Sequence, residues 1–108
     1  MSYTIKITAL GDKLYYLNNV LHREDGPAME TANGRKYWYI NGKLHRVDGP
    51  SIDCPNGTKL WFKNGQRHRE DGPAMEYFNG DKFWLLNDII YGKIMILLMN
   101  PGKNLLKL

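Results

Sequence analysis

Leu21-His22-Arg23-Glu24-Asp25-Gly26-Pro27-Ala28-Met29-Glu30 is the stretch that decides the fold, because it returns twice. Leu44-His45-Arg46-Val47-Asp48-Gly49-Pro50-Ser51-Ile52-Asp53 and Arg67-His68-Arg69-Glu70-Asp71-Gly72-Pro73-Ala74-Met75-Glu76 follow at a constant offset of 23 residues. The second half of each unit keeps step. Asn33-Gly34, Asn56-Gly57 and Asn79-Gly80 are followed by Lys36, Lys59 and Lys82, then by Trp38, Trp61 and Trp84. A second turn pair closes each unit at Asn41-Gly42, Asn64-Gly65 and Asn87-Asp88. Every Trp and every His of the chain occupies a position that the period defines. Such self-similarity marks an array whose units bury their apolar sides against one another.

The single domain divides into an N-terminal cap half-repeat (1–20), repeats at 21–43, 44–66 and 67–89, and a C-terminal cap (90–108). In the first cap Gly11, Lys13, Tyr15 and Asn18 stand 23 residues before Gly34, Lys36, Trp38 and Asn41. At the other end Tyr91 stands where a fourth His would fall.

Asn and Gly tolerate positive φ, as the tight turns of twisted hairpins require. Between the two turn signals of each unit lie 36–40, 59–63 and 82–86, dense in aromatic and branched residues, which favour strand. A second strand is expected at 28–31, 51–54 and 74–77, with Pro27, Pro50 and Pro73 at its entrance, where a missing N–H is tolerated. The expectation is an all-β fold: an antiparallel β-meander or solenoid of stacked hairpin repeats with an apolar C-terminal cap. Alternation puts Trp38, Trp61 and Trp84 on one face and Tyr37, Leu60, Phe83, Tyr39, Phe62 and Leu85 on the other. One of these faces is either covered by the terminal segments or open as an aromatic binding surface. The apolar run at 94–99 calls for burial, in the monomer or in a homodimer contact; its periodicity leaves strand or short helix open.

The formal charge of +4 is a mild basic excess, without the dense Lys/Arg clusters of a dedicated nucleic-acid binder. A lone cysteine, Cys54, rules out an internal disulfide and a Cys-based zinc site. The N-terminus has no signal pattern and no apolar run approaches the roughly 20 residues of a membrane span. A cytoplasmic protein is expected, in the host cell if the source is viral.

Three His, three Arg and three Asp in matched positions invite a metal or acid–base reading, and spacing argues against it. Equivalent residues two strands apart lie about 10 Å from each other, whereas zinc needs nitrogens at about 2 Å from one point. His22, Arg23, Asp25, His45, Arg46, Asp48, His68, Arg69 and Asp71 are therefore read as a structural repeat loop. In it the Asp residues accept backbone N–H groups of the turn, the Arg residues pair with a carboxylate or carbonyl of the neighbouring unit, and Gly26, Gly49 and Gly72 permit the bend. No catalytic set, metal site or cofactor motif is found, so the expectation is a non-enzyme. Candidate binding residues are the aromatics Tyr37, Trp38, Tyr39, Trp61, Phe62 and Trp84, with the column Lys36, Lys59 and Lys82 beside them, since basic groups next to stacking platforms hold nucleotides.

Tyr39-Ile40-Asn41-Gly42-Lys43-Leu44-His45 resembles the hairpin repeats of the MORN family (membrane occupation and recognition nexus). The His22-Arg23-Glu24-Asp25-Gly26-Pro27-Ala28 unit, with Asn33-Gly34 and Trp38-Tyr39, more closely resembles repeats found in proteins of bacteriophages and large DNA viruses. The resemblance covers about residues 11 to 90. It implies an all-β scaffold and a viral source. Where MORN repeats carry His-Gly-x-Gly, this chain has His-Arg-x-Asp-Gly-Pro, so a membrane-surface or scaffold role ranks last. Foremost is a small binding protein that docks on and inhibits a host protein, such as a defence factor; a sponge for a nucleotide or cyclic-nucleotide signal comes second.

Overall fold

The computed structural model describes residues 3–97, and among them every regular element is a β-strand. The chain opens with β1 (Tyr3–Ile7), β2 (Lys13–Leu17) and β3 (Val20–Leu21). The first full unit supplies β4 (Met29–Glu30), β5 (Lys36–Tyr37), β6 (Tyr39–Ile40) and β7 (Lys43–Leu44). The second supplies β8 (Ile52–Asp53), β9 (Lys59–Leu60), β10 (Phe62–Lys63) and β11 (Gln66–Arg67). The third gives β12 (Met75–Glu76) and β13 (Lys82–Leu86), and β14 (Ile89–Ile94) ends the array. One antiparallel sheet runs β1-β2-β4-β5-β8-β9-β12-β13-β14, with β3 also on β2, while β6-β7 and β10-β11 form hairpins of their own. The meander expected from the period is present.

The two Asn-Gly signals build different turns. In 31–35 the Thr31 N–H donates to Arg35 O and the Gly34 N–H to Thr31 O, with only Gly34 at positive φ (93°). At the second signal both central residues are left-handed: Asn41 at 50° and Gly42 at 78°, repeated at Asn64 and Gly65 and at Asn87 and Asp88. That is the two-residue turn whose twist suits a hairpin. It therefore closes a hairpin before the signature loop begins.

The strands expected at 36–40 and 59–63 are divided at Trp38 and Trp61, for an identifiable reason. Trp38 donates its N–H to Ser51 O (2.8 Å) and accepts from the His45 N–H (3.0 Å). His45 and Ser51 thus both oppose one residue, and the intervening 46–50 is thrown out of the ladder as a five-residue excursion. Tyr15 with His22 and Ala28, and Trp61 with His68 and Ala74, repeat the arrangement. An ordinary bulge adds one residue to a strand; here each return strand carries a whole loop. The strands expected at 28–31, 51–54 and 74–77 are correspondingly short, two residues each.

The interior is thin. Ala28, Ser51 and Ala74, the small residues after each Pro, are fully buried, as is Leu85. Between them runs a cross-strand column of half-buried apolar side chains: Leu14, Met29, Tyr37, Ile52, Leu60, Met75 and Phe83. The radius of gyration is 17.1 Å, against about 13 Å for a compact domain of this length. The array is long and narrow, 60 × 31 × 18 Å, so its stability rests on repeated neighbour contacts more than on one core.

In the C-terminal cap, Ile94, Met95, Ile96 and Leu97 are each about half exposed, so of the two alternatives for this run, burial within the monomer does not hold for residues 94–97. Ile94 belongs to a strand. Leu98 and the rest of the cap lie outside the described residues.

Candidate functional site

Each excursion is organised around one guanidinium. Arg46 Cζ lies 3.8 Å from the centroid of the Trp38 ring, and Arg23 over Tyr15 (4.1 Å) and Arg69 over Trp61 (3.9 Å) match it. The Nε of Arg46 donates to Asp48 Oδ1 (3.1 Å) and its Nη1 to Pro50 O (3.1 Å). Arg23 with Asp25 and Pro27, and Arg69 with Asp71 and Pro73, do the same. On the side away from the ring lies the glycine: a Cβ on Gly49 would come within 2.8 Å of Arg46 Cζ, and Gly26 and Gly72 are as tight. Cation–π stacking plus charge-assisted hydrogen bonds make the cage. Arg, Asp, Gly and Pro of the signature are thereby explained together.

Three readings of the signature change. The Asp residues accept from Arg Nε, where backbone N–H donors were expected. The Arg residues bond within their own unit and stack on the aromatic of the preceding one. The glycines give room to a guanidinium; none of the three has positive φ.

The His residues tie each hairpin to the next one within a unit. Asn41 donates its N–H to His22 Nδ1 (2.9 Å), Asn64 to His45 Nδ1 (3.0 Å) and Asn87 to His68 Nδ1 (3.0 Å). Flanking backbone bonds, Arg23 N–H to Tyr39 O and Gly42 N–H to Leu21 O, place this imidazole where a ladder carbonyl would otherwise accept. An accepting Nδ1 leaves the proton on Nε2. That atom lies 3.3 Å from Glu70 Oε1 in His68. In His22 it is buried, 3.4 Å from Glu24 Oε1 and outside hydrogen-bonding geometry. The three imidazoles serve three different turns, and among the described residues no group of three or more His, Cys, Asp or Glu gathers as metal ligands would.

The aromatic face is therefore covered in part, by the excursions and not by the termini: an Arg stacks on each of Tyr15, Trp38 and Trp61. Between successive excursions lie two open clefts. One, of about 740 Å³, is floored by Trp61 and Phe62 and walled by 45–49 and 68–71. The other, of about 680 Å³, is floored by Trp38 and Ile40 and walled by 23–26 and 45–48. Arg side chains in the walls are 23–26% exposed, whereas Glu24, Asp25, Asp48, Glu70 and Asp71 are 76–88% exposed. The crest between the clefts is Val47, 89% exposed, where the other units carry Glu.

No family model, curated protein or solved structure matches the chain. The site is consequently read from its own geometry.

Of the candidate binding residues, Trp38, Trp61 and Phe62 reach the cleft floors. Tyr37 belongs to the apolar column. Tyr39 is half-buried, and burial, then the neighbouring Tyr37, push its phenol above the ordinary range. Trp84 lies beyond the last excursion, opposite Gly92. Lys36, Lys59 and Lys82 are not a bare cationic ladder. Across the sheet Lys13, Glu30, Lys36, Asp53, Lys59, Glu76 and Lys82 stand opposite one another in turn, and Lys59 Nζ reaches Asp53 Oδ1 at 2.9 Å. Sequence reasoning missed these carboxylates although 30, 53 and 76 recur at the same period. It also passed over 24, 47 and 70, the variable position of the signature.

Proposed function

We propose that the protein is a small non-enzymatic binding protein, encoded by a phage or virus, that docks on a host protein through the row of excursions and blocks it. One observation carries this reading. In each excursion the Arg, Asp, Gly and Pro are committed to the cage, whereas the position between Arg and Asp (Glu24, Val47, Glu70) lies outside it, is largely exposed and differs between units. A rigid, repeated frame with one variable exposed residue per unit, flanking aromatic-floored clefts, suits recognition of a macromolecular surface, because preorganised groups lose little entropy on binding. The source and the inhibitory role rest on the likeness of the signature to repeats of viral proteins. A nucleotide sponge built on the Lys column is the weaker reading, since each lysine there faces a carboxylate.

The test is affinity capture from host lysate with the wild type and with a Glu24→Lys/Val47→Lys/Glu70→Lys variant. The wild type is expected to retain a stoichiometric protein that the variant releases, while the melting temperature stays within a few degrees. A captured protein that binds both forms equally would remove the excursions from the interface, and capture of none would remove the reading.

A further inference from the structure

We infer that β14 is a pairing edge for a second copy of this chain, joining two arrays into a closed two-fold dimer.

The argument starts from strand count. Among the described residues nine strands follow one another along the sheet path and every neighbouring pair is antiparallel. With an odd number, the two edge strands β1 and β14 run in the same direction. Stacking copies head to tail by translation would set β14 parallel to the next β1 and break the alternation. Turning a copy by 180° about the sheet normal restores antiparallel pairing and brings like edge to like edge. Such an isologous contact closes after two copies, whereas a head-to-tail one propagates into fibres.

Composition selects β14 over β1. An unpaired edge strand is ordinarily blunted by charge, proline or cover. In β1, Thr4 and Lys6 occupy one face, and Lys6 lies over the Tyr16 ring. β1 also has one cation, no acid and exposed Tyr3, Ile5 and Ile7, but β14 (Ile89, Ile90, Tyr91, Gly92, Lys93 and Ile94) has the larger apolar edge, because Met95, Ile96 and Leu97 continue it. Ile89 and Ile90 are 70% and 52% exposed, and Tyr91 and Ile94 are similarly open. With Met95, Ile96 and Leu97, seven half-exposed side chains of roughly 200 Å² each leave on the order of 800 Å² of apolar surface. That is about what one partner contributes to a stable interface. A two-fold normal to the sheet keeps both rows of excursions on the same face, so the dimer would present them side by side.

The experiment is sedimentation of the full chain over a wide concentration range, with hydrogen exchange of the β14 amides. A mass of twice 12.5 kDa is expected at high concentration, with slower β14 exchange there than on dilution. Ile90→Lys should weaken dimerisation by about tenfold or more with the circular dichroism unchanged, while Ile5→Lys should leave it intact. Exchange needs no variant, so the inference stays testable if a substitution misfolds. A monomer at every concentration overturns it, including one whose β14 amides are protected regardless of concentration, which would mean the chain's own 98–108 covers the edge. So would an open-ended filament, or a dimer lost with Ile5→Lys and kept with Ile90→Lys. Capture of a host protein by the excursions is read separately and does not depend on this outcome.

Discussion

Trp61 and Trp84 occupy the same place in successive units and have different fates. Opposite Trp61 the return strand throws out 69–73, and Arg69 folds back over the ring. Opposite Trp84 the return strand is β14, where Gly92 pairs directly with Trp84 and Ile90 with Leu85, leaving Tyr91 as a one-residue bulge. Gly92 thus stands in the place of Ala74, and five residues of the repeat are gone. With them go Arg, Asp, Gly and Pro together. The comparison shows that these residues exist to serve the excursion, and that the excursion belongs to junctions between successive hairpins: Arg69 N–H bonds to Leu85 O of β13. Where no further unit follows, a plain hairpin suffices.

The strongest way to break the comparison is to remove a guanidinium from the middle of the array. Arg46→Ala loses the stack on Trp38 and two hydrogen bonds and leaves Asp48 without its partner. A cost of about 3 kcal/mol is expected in urea unfolding. Arg46→Lys keeps the charge but not the planar fork, and should cost about half of that.

Glycine sharpens the contrast. Gly49→Ala drives a Cβ to 2.8 Å from Arg46 Cζ and should cost about 1–3 kcal/mol by displacing the cage. Gly92→Ala meets Trp84 at an ordinary 3.5 Å, at a φ open to any residue, and should raise stability by about 0.5 kcal/mol. Opposite signs for one substitution at two loops would separate room for a guanidinium from mere flexibility.

A smaller effect concerns the opposite edge of the array. Asp12 Oδ1 accepts from the Ala32 N–H (2.7 Å) and Thr58 Oγ1 from the Phe78 N–H (3.1 Å). The middle pair of this series is Arg35 and Pro55, which have neither the acceptor nor the donor. Pro55→Ala should cost about 0.5–1 kcal/mol by giving the unfolded chain more freedom. Adding Arg35→Thr should recover most of it, and an additive double mutant would refute the compensation.

These pairs show what was legible in the sequence. The period, the turns and the structural role of His22, His45 and His68 follow from spacing alone, because hairpin turns and strand propensity are local. The excursion is not local. Its signature is that residues 45 and 51 both bond to residue 38, which no window along the chain displays. The Arg46–Trp38 stack was hidden by the same distance, and without it Gly49 looked like a bend. The carboxylates that neutralise the Lys column share its period, but they stand on the neighbouring strands, so the pairing is set by sheet register and not by local sequence.

The least of the expected effects distinguishes the turn at Asn87-Asp88 from that at Asn64-Gly65. Asp88 replaces the glycine at φ +67° and links to the previous hairpin: its Oδ1 accepts from Arg67 N–H (2.8 Å) and Arg67 Nε (3.0 Å). The backbone hydrogen bond from Arg67, then its side-chain hydrogen bond and charge, hold the carboxyl below the ordinary aspartate range. A carboxyl with a lowered folded pKa favours the native state once the unfolded chain is ionised, above about pH 4. The contribution disappears as pH falls through the folded value. Asp88 is exposed, so salt should weaken it further. Asp88→Asn should therefore be less stable than the wild type near neutrality and converge with it as the pH falls through the folded value, in parallel acid titrations of the urea midpoint. Asp88→Gly should share the flatter acid profile but lose less near neutrality, because glycine relieves the left-handed φ. A wild-type curve that runs parallel to that of Asp88→Asn throughout the acid range would show that the carboxylate does not tie the last hairpin to its neighbour.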